Sequence, residues 1–147
     1  MKLAIHFILL TLILSFCFLH TSAQQIRMDS VLQLLSAARP ENKLDSSKLY
    51  EACDLINSMA LTDDEILQVE AAAVKLDRNG NKDASYFVKT HILVSLNNHG
   101  NTERALTYGQ KNILELASDN WPNSDWAKNN FLRLIRIPYR NSDRIEE

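Results

Sequence analysis

The sequence predicts an all-α fold of antiparallel helical hairpins, and three observations carry that expectation. Val88, Ile92, Leu96 and His99 recur at the spacing of one helical face. Ala105, Tyr108, Ile113 and Leu116 then do the same, with Leu106 and Leu114 widening the stripe. A tight turn at Asn97-Asn98-His99-Gly100 joins the two helices, so they must fold back on each other to bury both stripes. The pattern also returns. Gly100 to Leu106 aligns with Leu61 to Leu67, 39 residues earlier, and with Arg140 to Glu146, 40 residues later. Each copy is a turn, a polar capping pair, an acidic residue and then helix. Leu49, Cys53 and Ile56 stand where Val88, Ile92 and Ser95 stand, and Leu132 answers Ile92 one period on. Two helices in a period of roughly 34 to 45 residues mark a helical repeat array. Finally, no segment alternates as a strand.

Residues 1–23 read as a signal peptide. Lys2 supplies the positive start, Phe7 to Leu19 is almost wholly apolar, and His20-Thr21-Ser22-Ala23 ends in small residues that suit cleavage after Ala23. Phe16 and Phe18 around Cys17 do not suit a lipoprotein site. The alternative to cleavage is an uncleaved membrane anchor, because the apolar run from Leu3 to Leu19 approaches spanning length. With the leader removed, 124 of the 147 residues remain, enough for one small core. Export to the periplasm or the medium of a bacterium is expected, with no membrane span after cleavage.

Residues 24–45 are expected to hold a short helix and a loop. Gln24 to Met28 should fray, Asp29-Ser30 should cap a helix through Val31, Leu35 and Ala38, and Pro40 should follow its end. The repeat domain, 46–147, then divides into units of about 46–80, 84–119 and an incomplete 124–147. Ser46 or Ser47 starts a helix to about Ala60. Thr62 and Glu65 form a capping box opening a helix to Leu76 or Arg78, which Asn79-Gly80-Asn81 stops. Ser124 caps a helix to about Ile137, where Pro138 ends or kinks it. Asn141 to Arg144 should open a partner helix that stops short. The face of Phe131, Leu132 and Ile135 would then lack cover, as in a shortened member of a longer repeat protein.

Composition excludes more than it selects. Loss of Lys2 with the leader takes the net charge from −2 to −3, against the basic excess of a nucleic-acid binder. A single cysteine, Cys53, would survive cleavage, so no internal disulfide can form, and its neighbours Leu49, Ala52 and Ile56 suit a buried apolar role. His91 and His99 lack the close partners of a metal site and suit a core edge and a helix end. Asp63-Asp64-Glu65 offsets the positive end of a helix dipole. No phosphate-binding glycine loop, calcium loop or Gly-x-Ser-x-Gly elbow is present. The expectation is a non-enzyme with no cofactor that binds a protein or peptide, or the missing C-terminal part of a longer chain. A secreted small-ligand carrier is the alternative, and a secreted enzyme a more distant one.

Four residues are candidates for contact. Trp121 and Trp126 flank a loop, as binding anchors or as plugs between hairpins. Arg133 and Arg136, with Arg140 and Arg144, are spaced by three, four and four, on one continuous helix a basic stripe able to meet an acidic partner or lipid headgroups. A helix ending at Pro138 would divide it and leave an ordinary solvated face.

His99-Gly100-Asn101-Thr102-Glu103-Arg104-Ala105-Leu106-Thr107-Tyr108 resembles the Gly-x-x-x-x-Ala-x-x-Tyr core of tetratricopeptide repeats. The resemblance implies a short solenoid in which Gly100 makes the turn, Ala105 lets two helices approach and Tyr108 packs beside them. Lys89 and Leu93 depart from that family's usual Trp and small residue, and the neighbouring units have Leu61 or Arg140 for the glycine and Ile66 or Ile145 for the alanine. The wider layout is similar to exported sensor parts of Bacteroidetes signalling proteins, implying a protein-interaction or sensing module with no catalytic residues.

Overall fold

Helix signals and helix stops in this chain agree almost everywhere, and the computed structural model, which describes residues 22–38, 46–119 and 121–141, is all-helical over that range. Six helices follow in order: α1 over residues 22–37, α2 Ser46–Ser58, α3 Asp63–Arg78, α4 Lys82–Asn98, α5 Thr102–Ser118 and α6 Ser124–Asn141. No strand occurs among the described residues. Residues 1–21 of the expected signal peptide and the expected loop over 39–45 lie outside them, as do Asn120 and residues 142–147.

The caps are those the side chains dictate. The Thr62 hydroxyl accepts from the Glu65 backbone N–H at 3.3 Å, while the Thr62 N–H donates to the Glu65 carboxylate at 2.8 Å. Gly80 and Gly100 take φ of +86° and +69°. In each turn the asparagine that follows sends its N–H back to a carbonyl five residues earlier, Asn81 to Leu76 and Asn101 to Leu96, both at 2.9 Å. Those carbonyls would otherwise be orphaned at the helix ends.

Short turns make successive helices antiparallel, and burial decides how the hairpins stack. α2, α4 and α6 lie side by side, while α3 packs on α4 and α5 on α6. The central helix, α4, therefore buries most of its circumference, including Val88, Ile92, Leu93 and Leu96. Two of its buried hydroxyls are satisfied by carbonyls: Ser95 Oγ donates to that of Met59 at 2.6 Å and Thr90 Oγ1 to that of Tyr86 at 2.8 Å. Ties between alternate helices keep one register. Arg104 meets Asp63 at 2.6 Å and Lys111 meets Glu70 at 3.1 Å, joining α5 to α3 with the same 41-residue offset. Asn98 Nδ2 reaches the Asn57 carbonyl and Gln24 Nε2 reaches Glu65, again 41 residues away. Equal offsets along two helices mean that they run parallel, one unit apart.

Several expectations need correction. Gln24 to Met28 does not fray, and Asp29-Ser30 is no cap. α1 runs through both because Met28, Val31 and Leu35, spaced by three and four, all enter the core. Leu114 is 72% exposed, since nine residues beyond Ala105 is two and a half turns, the far side of α5. Leu132 is the wrong counterpart of Ile92: it is 39% exposed, and its neighbour Phe131 is the fully buried one.

The largest correction concerns α6. Pro138 does not end it, and no turn forms at Arg140. A proline removes the N–H that would bond the carbonyl four residues back, here that of Leu134. Asn97 Nδ2 from α4 donates to that carbonyl at 3.2 Å, and the Pro138 ring is fully buried. A neighbouring side chain thus supplies the missing donor and the helix continues. The expected bare face also fails at its centre. Phe131 and Ile135 are buried, Ile135 against Gly109 of α5, where an added Cβ would stand 2.9 Å from Ile135 Cδ1.

Candidate interaction surface

Three helices that lie side by side present one aromatic residue each. Tyr50 of α2, Phe87 of α4 and Trp126 of α6 are 37 and 39 residues apart in the chain. Stacking brings them into a row. Tyr50 and Phe87 meet edge to face, with centroids 5.3 Å apart, and Phe87 and Trp126 lie near-parallel at 6.4 Å. Phe87 is half-buried, whereas Tyr50 and Trp126 are 57% and 47% exposed. Rings that project from packed helices lose little conformational entropy on binding, and tryptophan and tyrosine dominate interface hot spots.

His91, one turn beyond Phe87, extends the row and meets that ring edge to face at 4.6 Å. Its Nδ1 lies 2.9 Å from Asn57 Oδ1. An amide oxygen only accepts, so Nδ1 carries the proton. Burial holds the imidazole below its ordinary value of 6.5, with the Asp54 carboxylate opposing the shift. Tyr50, Phe87 and His91 were missed as candidates in the sequence. The available signal was one aromatic residue per unit at nearly the repeat spacing.

The two sequence candidates Trp121 and Trp126 separate. Trp121 stacks on Tyr86 at 4.9 Å, and its indole N–H donates to Asp83 Oδ1 at 2.8 Å. Lys82 Nζ lies 4.9 Å from its ring centroid. Asn123 holds the other Asp83 oxygen at 2.6 Å, so the loop is clamped to the start of α4. Lys82 also pairs with Asp119, which accepts from the Tyr86 hydroxyl at 3.1 Å. The Lys82 hydrogen bond, foremost, holds the Asp119 carboxyl below its ordinary range. Trp121 is thus a plug in the joint, and Trp126 is the exposed one.

Arg133, Arg136 and Arg140 lie on a single unbroken helix. Trp126, Arg133 and Arg140 are seven residues apart, two turns each, so they share the face turned away from buried Ala127, Phe131 and Ile135. Ile137, 45% exposed, lies beside them.

The residues expected to shape the hairpin are placed as follows. Gly100 lies in the turn with positive φ, and Ala105 and Tyr108 are buried on α5. Burial pushes the Tyr108 phenol well up, with the Glu70 charge adding to it. Cys53 is buried and free, its thiol pushed up to about 12 by burial and then by Asp54. An open groove of about 580 Å³ runs between α1 and α3, with Leu32, Leu35 and Leu76 on its walls beside Gln33, Gln68 and Lys75. Among the described residues no three His, Cys, Asp or Glu side chains gather as metal donors, and no helix is long and apolar enough to cross a membrane.

Comparison with protein-family models, with curated proteins and with solved structures finds no match to this chain.

Proposed function

We propose that the chain is an exported, non-catalytic bacterial protein that binds a protein or peptide partner on a face of parallel helices. The observation that carries the reading is the row of Tyr50, Phe87 and Trp126 on α2, α4 and α6, two of its three rings open to solvent. A rigid helical scaffold presents such rings without a further ordering cost. Several titratable groups serve the packing of the helices: Lys82 with Asp119, Lys89 with Glu115, Arg104 with Asp63 and Lys111 with Glu70 form ion pairs between them. The tetratricopeptide-like turn and the sensor-like layout of the sequence point the same way, and the apolar leader of 1–23 is the basis for export.

The test is selection of peptides from a displayed random library on the chain beginning at Gln24. The reading expects a saturable binder whose affinity falls at least tenfold in Tyr50→Ala/Trp126→Ala, with the circular dichroism melt preserved. A library that yields no specific binder, or binders indifferent to both substitutions, would overturn it.

A further inference from the structure

The outward face of α6 carries positive charge that no carboxylate among the described residues neutralises. Arg133, Arg136 and Arg140 are exposed, and none has an ion-pair or hydrogen-bond partner among the described residues. Between helices, Lys82 pairs with Asp119, Arg104 with Asp63 and Lys111 with Glu70, while Arg27, Lys75, Arg78 and Lys128 stand exposed and scattered without an ion pair among the described residues; α6 gathers three arginines on one face. The chain as a whole is net negative, at −2. On α6 itself Asp125 is the single carboxylate, and it lies at the opposite end from Arg140.

The spacing gives the stripe its shape. Arg133 to Arg140 spans seven residues, or about 10 Å along the axis, with Arg136 between them. The planar forks of three guanidinium groups at that spacing match carboxylates presented by another helix at i, i+3 or i+4, and i+7. Trp126 and Ile137 stand beside the arginines, each nearly half exposed. An apolar side chain between the partner's carboxylates would therefore find cover.

We infer that the Arg133–Arg136–Arg140 face of α6 docks an acidic amphipathic helical segment of another protein. The inference rests on the reading of the chain as a binding module and adds a second, charge-selective surface that meets the aromatic row at Trp126. A lipid surface is the poorer fit. An interfacial helix must sink its apolar face to a depth of about 5–10 Å, and the apolar face of α6, with Phe131 and Ile135, is already inside the core.

Fluorescence anisotropy on the chain from Gln24 tests the idea. The probe is a labelled alanine-based helical peptide with glutamates at i, i+3 and i+7 and a leucine beside them. A twin with lysines for glutamates is the control. Saturable binding of the acidic peptide alone is expected, weakening as salt rises from about 50 to 200 mM because the Debye length shortens. Arg133→Glu/Arg136→Glu/Arg140→Glu should lose at least tenfold in affinity. Arg136→Ala alone, which disturbs the fold less, should lose a smaller factor and flatten the salt dependence. Tyr50→Ala should leave acidic-peptide binding unchanged, so failure of the aromatic-row reading and failure of this one are separable. Equal binding of both peptides, no saturable binding, wild-type affinity in the arginine variants, or capture by phosphatidylserine vesicles in place of the peptide would each overturn the inference.

Discussion

At the scale of single residues, conformational freedom and burial give the clearest expectations. At Gly100 nothing lies within 4 Å of where a Cβ would stand, so a substitution there clashes with no neighbour. The cost is that of a left-handed backbone alone, about 1–2 kcal/mol for an L-residue. Gly100→Ala should lower the urea midpoint accordingly, and Gly100→Val more, because a β-branched side chain tolerates φ of +69° least. An unchanged midpoint for Gly100→Ala would show that the turn is not strained by side chains. His91 sets a pH dependence. Its folded-state value lies below 6.5, so between the two the unfolded chain binds more protons and stability rises with pH. That stability is complete above about pH 6.5 and is lost as pH falls through the lowered value. Denaturant melts from pH 7 to pH 5 should show the decline, and His91→Gln should flatten it.

At the scale of elements, α6 shows how tertiary contacts decide what a proline does. From the sequence Pro138 reads as a stop, because helix interiors seldom tolerate a missing donor. Asn97 overturns that by bonding the Leu134 carbonyl from α4. Neither residue announces the other at a separation of 37 residues, so the long helix was not legible locally. The pair predicts a specific coupling. Asn97→Leu should cost about 1 kcal/mol by leaving a partly buried carbonyl without its donor. In a Pro138→Ala background the restored N–H takes over that carbonyl, and the same substitution should cost less. A double-mutant cycle by chemical denaturation reads the difference; additive effects would mean that the Asn97 amide does nothing for the helix.

At the scale of the whole molecule, much of the layout was written in local signals. The capping box at Thr62, the stops at Gly80 and Gly100 and the apolar spacing of α4 and α5 each act within one or two turns, and each is where the sequence places it. The offset of 39 residues between the turns at Leu61 and Gly100 lies close to the 41-residue spacing of the ties between parallel helices, whereas the offset of 40 to Arg140 falls inside α6 and marks no turn. The surface was less legible. Trp121 and Trp126 look alike in the sequence, yet only Asp83 and Tyr86 on another helix make the first a plug. Tyr50 and Phe87 look like ordinary helix residues until stacking puts them beside Trp126. The arginine stripe was divided on paper for the same reason that α6 was cut short.

The ties at a 41-residue offset have a consequence for how the molecule comes apart. Hydrogen bonds such as Arg104 to Leu61 and to Asp63, Lys111 to Glu70 and Asn98 to Asn57 span 41 to 43 residues, so they tie each unit to its neighbour. Opening is then free to start at an end and travel inward, as in a zipper, without a single all-or-none step. Native-state hydrogen exchange should accordingly show a gradient of protection. The slowest amides belong to α4, which is packed by helices on both sides. α6, packed by α4 and α5 at one end of the row of α2, α4 and α6 among the described helices, should exchange earlier. Any ligand that grips α2, α4 and α6 together would bridge that gradient, and its occupancy would be readable as slowed exchange in α6, far along the chain from Tyr50.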